Sequence, residues 1–513
     1  MKTLHINNIF LFILLPVLIS AQNSWNMTLL GSLDYSTSQG NDIWGWYNPS
    51  NGNEYALVGL NDGFSVVNIT NPDYPIEEFF IADSNSVWRD IKTWGNYAYV
   101  TSEANVGLLI VDLTDMTGNT YWHISEFKNP STGANISFKS AHNLYIDEKG
   151  ICYIYGSNTR KSVFFLDVDA NSTNPVYLGD WNYAYVHDAM VRGDTMWACC
   201  INMGKVFVVD VSDKTNPTII TNWSTPNSFT HNAWISDDGN YLFTTDERSN
   251  AYIAAYDVSN LSNIKLLDRI QSNPGSGSIP HNTHVDGNFL VTSYYRDGTT
   301  IHDITFPENM IQVAYYDSYS GYGKGFDGCW GTYPFLPSGN IISSDRNSVQ
   351  GGFGTAKLLI YQRNFKQACH LKGTVTDGYT SDIITNATIT ILNDTLYENT
   401  NLLGFYQTAS VNSGVYQVIF SAFGYLSDTL TVRLENGIMT TLDVTLYPLV
   451  MIPNGFTPNG DGVNDHFAPI FLKPESYSDY NIKIYNRWNN LIYNEDNTKW
   501  DGKVNDILLD QGS

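Results

Sequence analysis

The sequence predicts an all-β protein: a seven-bladed β-propeller, then a small β-sandwich, then a shorter β-rich segment. Two observations carry this. One apolar phrase recurs seven times: GFSVVNI from Gly63, GLLIVDL from Gly107, SVFFLDV from Ser162, GKVFVVDV from Gly204, AYIAAYDV from Ala251, TTIHDI from Thr299 and AKLLIY from Ala356. A self-similar period of roughly 20–50 residues marks a repeat architecture, and four-stranded units of this length close into a propeller. After Gln362-Arg363 the repeats stop, and short strands with a different turn pattern follow.

Residues 1–21 read as a secretory signal peptide. Lys2 supplies the positive end, Ile9 to Ile19 the apolar core, and Ser20-Ala21 the small residues before a cut ahead of Gln22. That core is shorter than the ~20 residues that span a bilayer, and no later run approaches that length. No Cys follows the cut to carry a lipid. The mature chain is therefore expected outside the cell with no transmembrane span.

The propeller is expected over 22–363. Aligning the repeats by their innermost strands places Trp44, Arg89, His142, His187, His231, His281 and Trp330 at one position, 44–53 residues apart. Outer strands such as NPVYLGDW from Asn174 and NPTIITNW from Asn216 end the blades, but none follows the seventh. NMTLLGSLDY from Asn26 matches them and stands alone before the first blade. It is expected to supply the missing strand, closing the ring by main-chain hydrogen bonds and hiding two sheet edges.

The sandwich is expected over 367–449, with strands LKGTVTD from Leu371, ATITIL from Ala387, LLGFYQTASV from Leu402, GVYQVIFSAFGY from Gly414 and DTLTVRL from Asp428. Gly373-Thr374-Val375, Gly404-Phe405-Tyr406 and the stretch from Gly414 resemble the carboxypeptidase regulatory-like domain. That resemblance implies a transthyretin-like accessory module, with no peptidase activity. Residues 450–513 carry IPNGFTPNGDGVNDHF from Ile452, YNIKIYNRWNNLIYN from Tyr480 and KWDGK from Lys499. These resemble the type B C-terminal sorting domain of Bacteroidetes cargo, which implies the type IX secretion machinery as a partner and a secreted or cell-surface destination. Family members continue past the WDG motif, so the resemblance implies a partial sorting domain. The repeats, through GLLIVDL, the His-Asn/Asp inner strands and WRDIKTWGNYAYV from Trp88, resemble the LVIVD-repeat propellers of the choice-of-anchor B family, which brings no established reaction.

Composition narrows the function. Against 27 basic residues stand 51 acidic ones, a net charge of −24 in 513 residues. A basic footprint is missing, which argues against nucleic acid. Five cysteines, an odd count in a long exported chain, do not make a disulfide framework. There is no G-x-S-x-G elbow, P-loop or H-E-x-x-H motif.

Candidate sites concentrate on the inner strands. His142, His187-Asp188, His231 and His281, with His284 further along the same face, could converge on the axis. Imidazoles with a carboxylate suit Zn²⁺ or another divalent metal. An inherited structural His in each blade is the plainer expectation. Trp44, Trp88, Arg89, Asp90, Trp234 and Trp330 are expected around the same mouth as ligand-binding residues, although single tryptophans more often pack between blades. Asp246-Glu247 and Glu103, after second strands, are expected to be solvated or to cap the ladder. In the C-terminal segment Asn459, Asp461, Val463 (by its carbonyl) and Asp465 alternate along a glycine-broken loop suited to Ca²⁺, a composition that Asx turns alone also produce.

These features point to an exported or cell-surface binding protein with a glycan or protein ligand on the propeller face. A metal-dependent extracellular hydrolase or lyase is the first alternative, and an adhesion component without a small ligand the second.

Overall fold

The structure is a computed structural model that describes residues 24–157, 163–349, 354–393, 397–471 and 479–509. The signal peptide expected over 1–21 lies outside them. The chain divides into two compact units, 1–365 and 366–513.

In the first unit the described residues form seven antiparallel sheets, six of four strands and one of five, with a small hairpin between Glu126–Lys128 and Asn135–Ser137. The innermost strands are Gly40–Asn48, Arg89–Trp94, Asn143–Ile146, Asp188–Arg192, Thr230–Ile235, Thr283–Asp286 and Cys329–Tyr333. Each touches the next, and the last touches the first, so the sheets are blades of a closed ring. Third strands such as Leu108–Asp112 and Lys205–Asp210 are covered on both faces by neighbouring blades. This explains why they read as unbroken apolar runs rather than alternating ones. The Asp that ends many of these runs has its own task. The carboxylates of Asp112, Asp210, Asp257 and Asp303 each accept the backbone N–H two residues on, at 2.8–3.1 Å, setting the turn into the outer strand.

Ring closure follows the expected route and extends it. Met27–Tyr35 pairs with Ala356–Arg363, completing the last sheet with a strand from the other end of the propeller. Gly31 is needed there, because a Cβ would lie 2.1 Å from the carbonyl oxygen of Pro72. Just before it, Ser24–Trp25 adds a fifth strand to the preceding blade, against Tyr315 and Tyr316. Asn26, at φ 55°, turns the chain between the two and donates its Nδ2 to Val313 O at 2.9 Å. The N-terminus thus fastens two adjacent blades.

The second unit contains a sandwich. One sheet joins Phe405–Ser410, Cys369–Asp377 and the short strands Met439–Thr441 and Val444–Leu446; the other joins Tyr397–Asn399, Thr388–Ile391, Gly414–Ser421 and Asp428–Leu434. Leu371, Ile389, Tyr406, Val418, Phe420 and Leu434 fill the space between them. The third expected strand starts later than its apolar residues suggest. Leu402 and Leu403 are exposed, and Gly404 turns at φ 67° before Phe405 enters the sheet. Beyond residue 449 the described residues form three two-stranded hairpins, with Trp500 packed against Phe456 and Tyr493.

Deletion of residues 24–35 should lower the thermal midpoint of the isolated propeller or abolish its single cooperative transition; an unchanged melting curve would show that the clasp does not hold the ring. His302 gives a second test. It replaces an apolar residue in the third strand of its blade, is fully buried, and neither ring nitrogen has a hydrogen-bond partner. Burial lowers its pKa from 6.5 to about 3. The unfolded chain therefore binds more protons than the folded one between these values, and stability present above pH 6.5 is lost as pH falls towards 3. Denaturant melts of the His302→Gln variant between pH 7 and 4 should show a shallower loss of stability than the parent.

Candidate functional site

The inner strands carry a file of imidazoles to one end of the ring. His142, His187 and His281 enter their blades alike: each backbone N–H donates to the facing second strand, at Tyr155 O, Cys199 O and Ser293 O, over 2.9–3.0 Å. His231 reaches the same level as the extra residue of a bulge between Thr230 and Asn232. Such bulges re-aim a side chain. Neighbouring rings stand 4.1, 4.3 and 4.4 Å apart between centroids, in the order His142, His187, His231, His281. Trp330 continues the file, 5.0 Å from His281.

A bulge also corrects the sequence alignment of the first blade. Between Gly40 and Ile43 its inner strand carries an extra residue, so Asn41-Asp42, not Trp44, stands level with the histidines. Asp42 lines the His-bearing chamber. Trp44 lies deeper along the axis, 4.7 Å from the ring of Tyr333.

The axis holds two chambers of about 20 Å³ each. Asp42, Asp90, Asn143 and Asn282 line both and form the floor between them. Around the outer chamber stand His142, His187, His231, His281, Trp88, Arg89 and Trp330. Its volume admits a water or one ion. A drug-sized ligand needs roughly 300 Å³ or more. Glu247 turns inward, with Oε2 3.7 Å from His231 Nε2 and Oε1 4.0 Å from His281 Nε2, and it accepts the Tyr295 hydroxyl at 2.7 Å. Burial raises its pKa to about 7 and holds those of His187 and His231 well below the ordinary histidine value; His281 falls to about 3 for the same reason. These three imidazoles are therefore neutral at pH 7. Glu103 contacts His142 Nδ1 at 2.7 Å at the more open side of the file. Arg89 is spent on structure: Nε donates to Leu60 O at 2.8 Å and Nη1 pairs with Asp83 at 2.7 Å.

The inner chamber is chemically different. Lys92 Nζ lies 2.5 Å from Asp90, 3.7 Å from Asp42 and 4.4 Å from the Trp44 ring centroid. Burial alone would lower its pKa, but Asp90 and Asp42 outweigh burial and raise it. Asp188 lines this chamber too, where it accepts Asn232 Nδ2 at 2.7 Å; burial lifts its pKa to about 6. His284 and Trp234 meet edge to face here, with ring centroids 4.6 Å apart, and not among the other histidines. Asp188 stands one position past His187, and His284, Trp234 and Trp44 stand three past His281, His231 and Asn41, so all four lie further along their inner strands than the outer group. Trp46, two residues on from Trp44, is buried and donates Nε1 to Gly95 O at 3.0 Å.

In the C-terminal segment the oxygens of the glycine-broken loop are turned on the loop itself. Asp465 accepts the N–H of Gly460 and Gly462, both at 2.7 Å. Asp461 Oδ1 accepts from Val463 N at 2.7 Å, Asn459 Oδ1 from Asp461 N at 3.1 Å, and Val463 O from the Thr457 hydroxyl at 3.3 Å. Asx turns account for this arrangement.

Sequence reasoning missed Glu247 as a site residue, although topology offered the signal. Inner strands begin at the His end, so the antiparallel second strands end there, and residues just after them, Glu103 and Glu247, must meet the histidines. Asp246 does cap its blade, accepting from Asn227 N and Phe229 N at 2.8 and 2.9 Å. Lys92 was missed because a lysine in an inner strand gives no pattern until its carboxylate partners are placed. Lys92→Met should lower stability by about 3 kcal/mol or more, since Asp42, Asp90 and Asp188 would lose their buried counter-charge. Chemical denaturation of the variant checks this against a double variant in which Asp90 is also replaced by Asn, which should recover part of the loss.

Comparisons with known proteins bear on all three regions. Residues 88–118 and 199–225 match the LVIVD repeat, 370–447 the carboxypeptidase regulatory-like domain, and 450–513 the type IX secretion signal domain. A solved protein from Lactobacillus plantarum is similar at 12% identity and a TM-score of 0.45, covering 60% of this chain and 88% of its own. A β-propeller domain from Myceliophteria thermophila is similar at 10% identity and 0.44, covering 65% and 99%. The propeller here rests on the closed cycle of sheets, not on these likenesses. No curated protein matches the chain. No helix among the described residues is long and apolar enough to cross a membrane. With its type IX secretion signal domain the chain is an exported protein, bound for the cell surface or the extracellular space, that carries LVIVD repeats and a carboxypeptidase regulatory-like domain.

Proposed function

We propose that this exported protein binds a glycan or protein ligand across the His-bearing mouth of its propeller. The observation that carries the reading is an amphipathic rim around a small polar pit. Trp88, 39% exposed, lines the outer chamber, and Phe326, 47% exposed, packs 5.3 Å from Tyr295, which in turn lies 4.9 Å from His281. Arg346 stacks 5.6 Å over Trp330, and Glu103 is exposed beside His142. Exposed aromatic faces beside charges of both signs are the usual anchors of an extracellular contact. The pit itself takes no more than a single small group of that ligand.

A metal-dependent hydrolase or lyase is the second reading, favoured by Glu247 beside two imidazoles. Alanine at His187 and His231 separates the possibilities. Lost turnover with an intact fold supports the enzyme, lost ligand binding without turnover supports the binder, and collapse of the fold supports a purely structural role for the imidazoles.

Screening the purified protein against a glycan array and against surface proteins should yield a ligand whose affinity drops about tenfold or more in Trp88→Ala and in Phe326→Ala, the cost of removing a central aromatic anchor. Tyr74→Ala, at an exposed turn before the outer strand Ile76–Ala82, should leave it unchanged. Equal affinity in all three variants would remove the mouth as the binding face.

A further inference from the structure

We infer that the imidazole file beside the outer chamber holds a divalent transition-metal site whose protein ligands are His187, His231 and Glu247, with His281 at the fourth position. This goes beyond the proposed ligand binding at the rim and does not depend on it. One ligand atom from each of His187, His231 and Glu247 lies within 4.8 Å of the others. A tetrahedral ion with bonds of ~2.0–2.1 Å sets its ligand atoms about 3.3 Å apart. The observed spacings of 3.7 Å and 4.0 Å from Glu247 to His231 and His281 approach that value. They are too long for hydrogen bonds, so the carboxylate and the two imidazoles do not satisfy one another directly.

The rings are also oriented for the task. His281 Nδ1 donates to Trp330 O at 2.5 Å, which leaves Nε2 turned towards Glu247. For His281 this backbone carbonyl behind Nδ1, with Nε2 facing inward, is the usual support of a metal-binding histidine. Nδ1 of His187 and Nδ1 of His231 are buried and have no hydrogen-bond partner among the described residues. Among the described residues the side-chain hydrogen-bond partner of Glu247 is the Tyr295 hydroxyl, so the carboxylate has no cation beside it and a bound metal ion would supply one. The chamber that His187, His231 and His281 line measures about 20 Å³, room for a water or an ion beside the imidazoles and too little for a larger cofactor. Two nitrogens or three with one carboxylate select zinc-class metals over Ca²⁺ or Mg²⁺.

The test uses the full exported chain without a His tag, stripped with chelator and reloaded with Zn²⁺ or Co²⁺. One equivalent should be retained after dialysis, Zn²⁺ should raise the thermal midpoint, and Co²⁺ should give the strong visible bands of a four-coordinate ion. Glu247→Gln and His231→Asn should each weaken binding by about tenfold or more, while His123→Ala, on an outer strand, should not change it. A folded wild-type chain that retains no metal overturns the site, and so does equal binding in both site variants. If either variant fails to fold, anomalous scattering from zinc-soaked wild-type crystals decides. An ion about 2.0–2.2 Å from a Glu247 oxygen upholds the proposal, and an ion elsewhere, or none, overturns it.

Discussion

Everything at the axis depends on a main-chain ladder between the two ends of the propeller. Met27–Tyr35 hydrogen-bonds to Ala356–Arg363, and Ser24–Trp25 continues onto the neighbouring blade. Until that ladder forms, the last blade exposes the unpaired edge of Ala356–Arg363 and nothing ties the two ends of the propeller together. The contact is also among the most non-local in the chain, so its loop-closure entropy must be met before the axis can be built. The file of histidines, with neighbouring rings 4.1–4.4 Å apart, exists only because the blades are held at a fixed angular step.

A closed ring turns its axis into a place where polar groups are dehydrated together. The two chambers resolve this differently. The inner one carries its own cation, Lys92, between Asp42 and Asp90, so its carboxylates have an internal partner. The outer one is ringed by imidazoles, and beside them Glu247 is held by the Tyr295 hydroxyl with no lysine or arginine paired to it among the described residues. Coulomb attraction strengthens in such an environment, but so does the penalty for an unpaired charge. The asymmetry between the chambers therefore sets their chemistry: one is closed by its lysine, and the other is poised for something brought from outside.

The periodicity of the apolar runs was enough to read the blades because each third strand is covered on both faces, and burial on both faces writes itself directly into residue type. The closing strand was legible for the same reason, as an outer-strand phrase without a blade. Exported destination was legible in the C-terminal motifs, which match a type IX secretion signal domain. The site was only half legible. His142, His187, His231 and His281 could be aligned by their spacing, and the structure brings those four together. Trp44 was aligned with the histidines in place of Asn41 because a bulge in Gly40–Asn48 is invisible without its partner strand.

By itself, the sequence determined the repeat, its closure, the domain order and which residue types face the axis, since these follow from local alternation and burial. Only the tertiary structure decided depth along that axis. It put His284, Asp188 and Trp234 with Lys92 around one chamber, set the Lys92 ammonium over the Trp44 ring, and turned Glu247 towards His231 and His281 beside the other. Depth is set by where bulges fall and where second strands end against the inner strands of neighbouring blades. Those are relations between segments tens of residues apart, and no local pattern records them.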